Sequence, residues 1–195
     1  MKIWVAGIPG AWSSQKLASS LQELGANSKV FPLSECSLDL SQGKVLWKGR
    51  DLSRLDGVIV KKLGDVIDPR SRHRINLLHQ LSHLGVPIFS PPDAIEKANN
   101  RYRMTLQLSQ AGAPIPKTFV SESVEGVIEK VEQWGQAVLK PVFTSKGRGM
   151  LLLERGGVDP TTLRQWRDSW GFPFYLQKYI QSDFDVGIAV LDGET

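Results

Sequence analysis

The sequence predicts an α/β fold that turns to α+β in its second half, and three observations carry that expectation. Short apolar runs of strand length, such as Ile3 to Ala6 and Gly57 to Val60, alternate with segments whose apolar residues recur at helical spacing. Glycines close several of those helical segments. Further on, Ala137 to Lys140 and Met150 to Leu153 flank a short loop of small, basic and glycine residues. Strands separated by helices pair in parallel, and such a sheet presents its ligand edge at the strand C-termini. Those ends are Gly7 to Gly10, Lys61 to Gly64, and Ser90 to Asp93.

Taken in order, Ile3 to Ala6 is the first strand and Gly7-Ile8-Pro9-Gly10 a turn. Ser13 to Leu24 follows as a helix with Leu17, Ala18, Leu21 and Leu24 on one face and Gly25 as its stop. Lys29 to Leu33 reads as a second strand, and Leu38 to Leu52 as a polar hairpin turning at Gln42-Gly43. Gly57 to Lys62 is a buried strand. The helix after Pro69 points Ile75, Leu78, Leu81 and Leu84 inward and ends at Gly85, and Val86 to Phe89 returns to the sheet. Prolines break elements, so Ser90-Pro91-Pro92-Asp93 marks a boundary between domains 1–92 and 93–195, with Asp93 and Glu96 placed to cap the next helix. That helical region carries Asn99, Asn100, Arg101 and Arg103 to Ala111-Gly112, where Pro114-Ile115-Pro116 stops it. Lys117 to Val120 is a strand. Val124, Val127, Ile128, Val131 and Trp134 form a helical stripe closed by Gly135, before the Val138-Leu139-Lys140 strand. Asp159-Pro160 opens another helix, and Tyr175 to Ile180 and Val186 to Leu191 are further strands. The last run reaches a turn at Asp192-Gly193 with two residues beyond it, the pattern of a hairpin cut at its turn, so a fragment is expected.

A chain of 195 residues holds one large domain or two small ones. It is 41% hydrophobic and 23% charged, with no apolar run approaching a membrane span, which predicts a soluble globular protein without a membrane partner. The N-terminus starts directly as a strand and lacks the features of a signal peptide. Cys36 is the single cysteine, which rules out an internal disulfide or a cysteine metal cluster and suits the cytoplasm. The net charge of +4 raises the question of nucleic acid. The basic residues are scattered, apart from Arg70, Arg72 and Arg74 and the Lys146/Arg148 pair, and no nucleic-acid motif occurs, so nucleic acid is not the expected partner.

The most informative segment is Val138-Leu139-Lys140-Pro141 with Val142 to Gly149. Glycines let backbone approach an anion, exposed amides supply dipoles, and Lys140, Lys146 and Arg148 supply the cations a triphosphate needs. A nucleotide is the natural occupant, although a β-hairpin with a solvated basic tip has the same pattern. Gly7 to Gly10 lacks the dinucleotide fingerprint, reads as a tight turn or substrate-facing loop, and no Walker A sequence occurs. His79 and His83 have a spacing that can hold zinc, but no glutamate follows His79 and no third ligand is evident, so no metal site is assigned. Lys61 or Lys62 is a candidate for a substrate carboxylate, with one expected in and one out. Cys36 has no base partner and reads as inert. The six tryptophans read as packing residues, with Trp12 beside the Gly10 turn a possible border of the substrate site.

In sequence, Asp93-Ala94-Ile95, Ala98-Asn99-Asn100-Arg101, Ala111 to Thr118, Val138-Leu139-Lys140-Pro141 with its glycine loop, Gln177-Lys178-Tyr179-Ile180 and Asp185 together resemble the ATP-grasp superfamily, most closely the RimK-like ligases. Val5 to Ser14 with Ser145 to Met150 is similar to the bacterial "GAK system" ATP-grasp proteins. The resemblance implies a Rossmann-like pre-ATP-grasp domain on the substrate side, followed by an ATP-grasp domain that is incomplete here. It implies phosphorylation of a carboxylate to an acyl phosphate that an amine then attacks, with ATP and Mg²⁺ as cofactors. The partners it implies are a small-molecule or peptide carboxylate and an amine, and it is compatible with a homo-oligomer.

Carried over by position, Lys140 resembles the strand lysine at the nucleotide phosphate and adenine edge. Thr144, Ser145, Lys146, Gly147, Arg148 and Gly149 resemble the mobile loop over the terminal phosphates, with Lys146 and Arg148 in the catalytic role of stabilising the transferring phosphoryl group. Gln177, Lys178, Tyr179 and Ile180 resemble the hinge whose backbone reads adenine, with Tyr179 either stacking on the base or packing as core. Asp185 resembles the position near the ribose. Arg101 stands where many members carry a phosphate-binding lysine, and its planar fork is not a point charge. Lys178 stands where the hinge often has glutamate. The metal ligands of the family, an Asp, a Glu and an Asn, have no counterpart before Thr195 and are expected beyond it. The resemblance also admits a nucleotide-binding module without catalysis.

Overall fold

The computed structural model describes residues 1–64, 69–144, 147–171, 173–184, 186–188, 190 and 193. Two compact units result, Met1–Gln110 with Phe143–Arg148, and Ala111–Val142 with Gly149–Thr195.

The first unit is built on β1 (Ile3–Ala6), whose Val5 and Ala6 are fully buried. Helix α1 (Trp12–Glu23) leads to β2 (Val30–Phe31). A three-stranded antiparallel sheet of β3 (Cys36–Asp39), β4 (Lys44–Trp47) and β5 (Arg50–Asp51) comes next. Then follow β6 (Gly57–Val60), α2 (Pro69–His83), β7 (Ile88–Phe89), α3 (Pro92–Asn99) and α4 (Arg101–Gln110). The main sheet has the order β2-β1-β6-β7 with every pair parallel, as the alternation of strands and helices requires. Its core gathers Trp4, Phe31, Leu33, Val45, Leu52, Leu77, Leu78 and Leu81. The expected polar hairpin is therefore a small sheet whose Val45 belongs to the core, as does Leu52 in the 3-10 turn that follows it.

The second unit runs β8 (Thr118–Ser121), α5 (Val124–Trp134), β9 (Gln136–Lys140), β10 (Leu151–Glu154), α6 (Pro160–Trp170) and β11 (Phe174–Lys178). Its sheet has the order β10-β9-β11-β8 with antiparallel neighbours. Each helix crossover thus skips one strand, so β11 slots between β8 and β9, a split βαβ arrangement. Both helices start on side-chain caps: Ser123 Oγ accepts from Gly126 N, and Asp159 accepts from the amides of Thr161 and Thr162. Gly135 closes α5 with φ +84°.

Four expectations are corrected. Leu24 and Leu84 lie just beyond the last helical residue beside the terminating glycine, so they are exposed, and Leu77 fills the core position instead. The long helical region breaks at Asn100, whose Oδ1 accepts from Arg103 N and caps α4. Asp93 and Glu96 do not cap α3: Pro91 holds the N-cap position without a side-chain bond, and both carboxylates face His79. Val186, Ile188 and Val190 are exposed and outside any strand, since no described segment offers them a ladder. Among the described residues no helix is long and apolar enough to cross a membrane.

Cys36 is buried, its Sγ lies 3.6 Å from Pro32 O, and burial together with Glu35 pushes its pKa up to about 12. At pH 8 a thiol reagent should label Cys36 only after unfolding in urea, and rapid labelling of the native chain would contradict this placement. A thiol that holds its proton more tightly when folded stabilises fully below its unfolded pKa of about 8.5, and that contribution declines as pH rises toward the folded value.

Candidate functional site

In the second unit the alternation of β9 and β11 separates two faces. Ala137, Leu139, Phe174 and Leu176 pack under α5 and α6 with Val127, Val131, Leu163 and Trp166. Lys140, Tyr175 and Gln177 take the opposite face, where Tyr175 is the register partner of Lys140. There Lys140 Nζ donates to Gln177 Oε1 at 2.7 Å. Gln177 Nε2 in turn donates to Thr118 Oγ1 at 3.1 Å and to Tyr175 OH at 3.0 Å. Gln177 and Tyr175 are buried and Lys140 is half-buried, so three strands hold one ammonium in one direction.

The residues predicted to form the hinge divide. Gln177 and Lys178 belong to β11, and Tyr179 and Ile180 follow it, the former 39% exposed rather than core. The amides of Lys178 and Tyr179 donate to Lys117 O and Gln136 O. Asp185, Ser145 and Lys146 lie outside the described residues.

In the first unit Arg101, at the start of α4, donates from Nη2 to Thr144 O at 3.3 Å. Two polar groups at this place, Thr144 Oγ1 and Asn99 Nδ2, are buried without a hydrogen-bond partner. Orphaned polar atoms of this kind are rare unless a ligand or water meets them. Gly147 and Arg148 are exposed, Gly147 with φ +69°.

The remaining candidates are also placed. Gly7 closes against α1 so tightly that a Cβ would fall 2.6 Å from Ser14 Oγ, itself buried and unpartnered. Lys61 is exposed and Lys62 half-buried, both with amides on Ala6 O. Trp12 is 79% exposed. His79 and His83 do not act together. His79 Nε2 instead lies 3.8 Å from Asp93 Oδ1 and 3.9 Å from Glu96 Oε2.

Sequence reasoning missed Thr118 and Tyr175 as parts of the Lys140 network. The signal was available: Tyr175 stands two residues before Gln177, hence on its face, while the Thr118 pairing needed the strand order. It also missed Trp166 and Trp170 as partners of the glycine loop, because their contact with Gly149 is tertiary.

No protein-family model matches the chain. It is 30% identical over 156 residues to the tetrahydromethanopterin:alpha-L-glutamate ligase of Methanosarcina acetivorans, an alignment covering 77% of this chain and 48% of that protein. Its fold matches the RimK domain ATP-grasp protein of Sphaerobacter thermophilus with TM-score 0.74 at 16% identity, over 94% of this chain and 65% of the other. It matches the ATP-grasp ligase PsnB, solved with a variant of its minimal precursor, Mg and ADP, with TM-score 0.66 at 19% identity, over 92% and 65%. The chain spans about half the length of the curated relative it matches.

Among the described loop residues, Gly149 packs against α6. Its φ is +71°, its carbonyl accepts from Trp166 Nε1 at 2.8 Å, and a Cβ would fall 2.2 Å from Trp170 Cζ2 and 2.8 Å from Pro141 Cγ. Gly149→Ala should therefore destabilise the chain by roughly 2 kcal/mol or more, through the left-handed backbone and a rigid ring that cannot yield. Urea unfolding measures this, and an unchanged midpoint would show that the loop and Trp170 are not packed as described.

Proposed function

The chain belongs to the ATP-grasp superfamily, and from that membership we propose that it is the nucleotide-binding part of a RimK-like, ATP-dependent carboxylate-amine ligase. The observation that carries the reading is the Lys140 ammonium held by Gln177 on the sheet face away from the helices. A phosphate oxygen is the natural partner for an ammonium aimed this way, and holding it in place lowers the entropic cost of binding. Arg101 and Arg148 are further cations for the phosphates, and the unpartnered Thr144 and Asn99 groups are further hydrogen-bonding positions. With the Lys178 and Tyr179 amides engaged in the sheet, reading of the adenine edge falls to the carbonyls after β11 and to Ile180. Asp185 is the proposed ribose contact.

The chemistry follows from these roles. A carboxylate oxygen attacks the γ-phosphorus and ADP leaves, and an amine nitrogen then attacks the acyl carbon, releasing phosphate and losing a proton. Lys146 and Arg148 stabilise the charge on the transferring group. The carboxylate belongs to a small molecule or a peptide, and the reaction is cytoplasmic. The proposed functional boundary after residue 92 assigns α3 and α4 to the nucleotide side because Arg101 stands on α4, although both helices pack with the first compact unit.

Mg²⁺ accompanies ADP in the PsnB structure. Among the described residues, the group of His, Asp and Glu close enough to share an ion is His79, Asp93 and Glu96. An imidazole with two carboxylates is a poor match for a cation that takes oxygen ligands, so that group is not assigned to Mg²⁺ and no step is routed through it.

Calorimetry should show saturable ATP binding that Lys140→Ala and Gln177→Leu each weaken, the first by roughly tenfold or more. Equal affinity in Lys140→Ala would remove the lysine from the site. In the protein carrying its complete ligase domain, Lys146→Ala with Arg148→Ala should slow acyl-phosphate formation about a hundredfold or more while changing ATP affinity less. An unchanged rate would refute the loop's catalytic role.

A further inference from the structure

The parallel sheet of the first unit has a second end, opposite the ligand edge. Where β1, β2 and β6 begin, a cavity of about 490 Å³ is lined by Lys2, Lys29, Arg50, Arg54, Asp51 and Trp4, among others. Four cations share this concavity with one carboxylate. That carboxylate is engaged locally, since Asp51 Oδ1 accepts from Ser53 N at 2.9 Å and Ser53 Oγ at 2.7 Å. Asp56, just outside, accepts from the Lys2 backbone amide.

Like charges gathered in a concavity reinforce each other's field. Burial and the Arg50 guanidinium hold Lys29 below the ordinary lysine range, and its ammonium sits over the Trp4 ring, 4.0 Å from the centroid. Trp4 supplies a second, independent observation. It is only 6% exposed, and its indole Nε1 is buried with no hydrogen-bond partner. Buried donors are paired in nearly every folded protein, and this unpaired one belongs to a residue that lines the cavity. Lys2, Arg50 and Arg54 are exposed and Lys29 is half-buried, so an anion entering from solvent meets all four.

We propose that this pocket binds a small polyanion, a molecule carrying two or more phosphate or carboxylate groups, at a site separate from the sheet's C-terminal edge. The guanidinium forks of Arg50 and Arg54 suit paired oxygens, and Lys2 and Lys29 add point charges beside the Trp4 ring. The volume is that of an ordinary small-molecule site.

The test titrates the full chain with pyrophosphate and, separately, with citrate at physiological salt. The readout is the Trp4 indole N–H signal in ¹H–¹⁵N spectra, assigned with Trp4→Phe or, should that variant not fold, by its displacement in Lys29→Met. A saturable shift is expected, weakened roughly tenfold or more by Arg50→Ala with Arg54→Ala and unaffected by Lys140→Ala. The tighter probe assigns the phosphate or the carboxylate class. The proposal is overturned if neither anion moves that signal saturably, if the shift survives the double arginine variant, or if Lys140→Ala alone abolishes it. Because Lys140 separates the two sites, failure here and failure of ATP binding are distinguishable.

Discussion

The two-residue period of β9 and β11 is the constraint on which the second unit depends. β11 is hydrogen-bonded on both sides, to β9 and to β8, so its register is set twice. A one-residue slip would drive Lys140 into the layer of Val127, Val131 and Leu163 and turn Leu139 away from it. Burying an unpaired ammonium costs far more than the slip could recover. The apolar core therefore positions the lysine: the packing that makes the sheet adhere to its helices also fixes which way the Lys140 ammonium leaves the strand.

The partner chosen for that ammonium is informative. Gln177 offers a neutral amide, which orients Nζ and does not itself compete with an incoming anion as a carboxylate in its place would. The amide is itself pinned, since both Nε2 contacts, to Thr118 and Tyr175, come from its own sheet. Thr118 Oγ1 in turn donates to Pro116 O at 2.8 Å. A chain of hydrogen bonds across three strands thus ends on one cation, a rigid support of the kind that a binding site needs.

What the sequence made legible was whatever rests on local chemistry. The Asp159 cap, the Gly135 stop, the α5 stripe and the strand bearing Lys140 all follow from residues within a turn or a strand of each other. Reading failed where a neighbour far along the chain decides. Leu24 and Leu84 kept the helical spacing, yet the helices end before them and the glycines turn the chain away. The packing of Trp166 and Trp170 of α6 against Gly149 likewise had no local signal. Asn100 looked like one more helical residue, although its side chain serves better as a cap than inside a helix.

Charge shows the same limit in its sharpest form. Along the chain the basic residues look scattered, and Lys2, Lys29 and the Arg50/Arg54 pair lie more than twenty positions from one another. A parallel sheet, however, collects the beginnings of its strands at one edge. Lys2 precedes β1, its partner Asn27 and then Lys29 precede β2, and Arg54 and Leu55 precede β6. Strand β5 of the small sheet adds Arg50. Residues spaced by tens of positions therefore become neighbours because the topology repeats, each return of the chain delivering its strand entrance to the same side. An even distribution along such a chain is consistent with a strong local field, and the relevant unit for counting charge is the sheet edge.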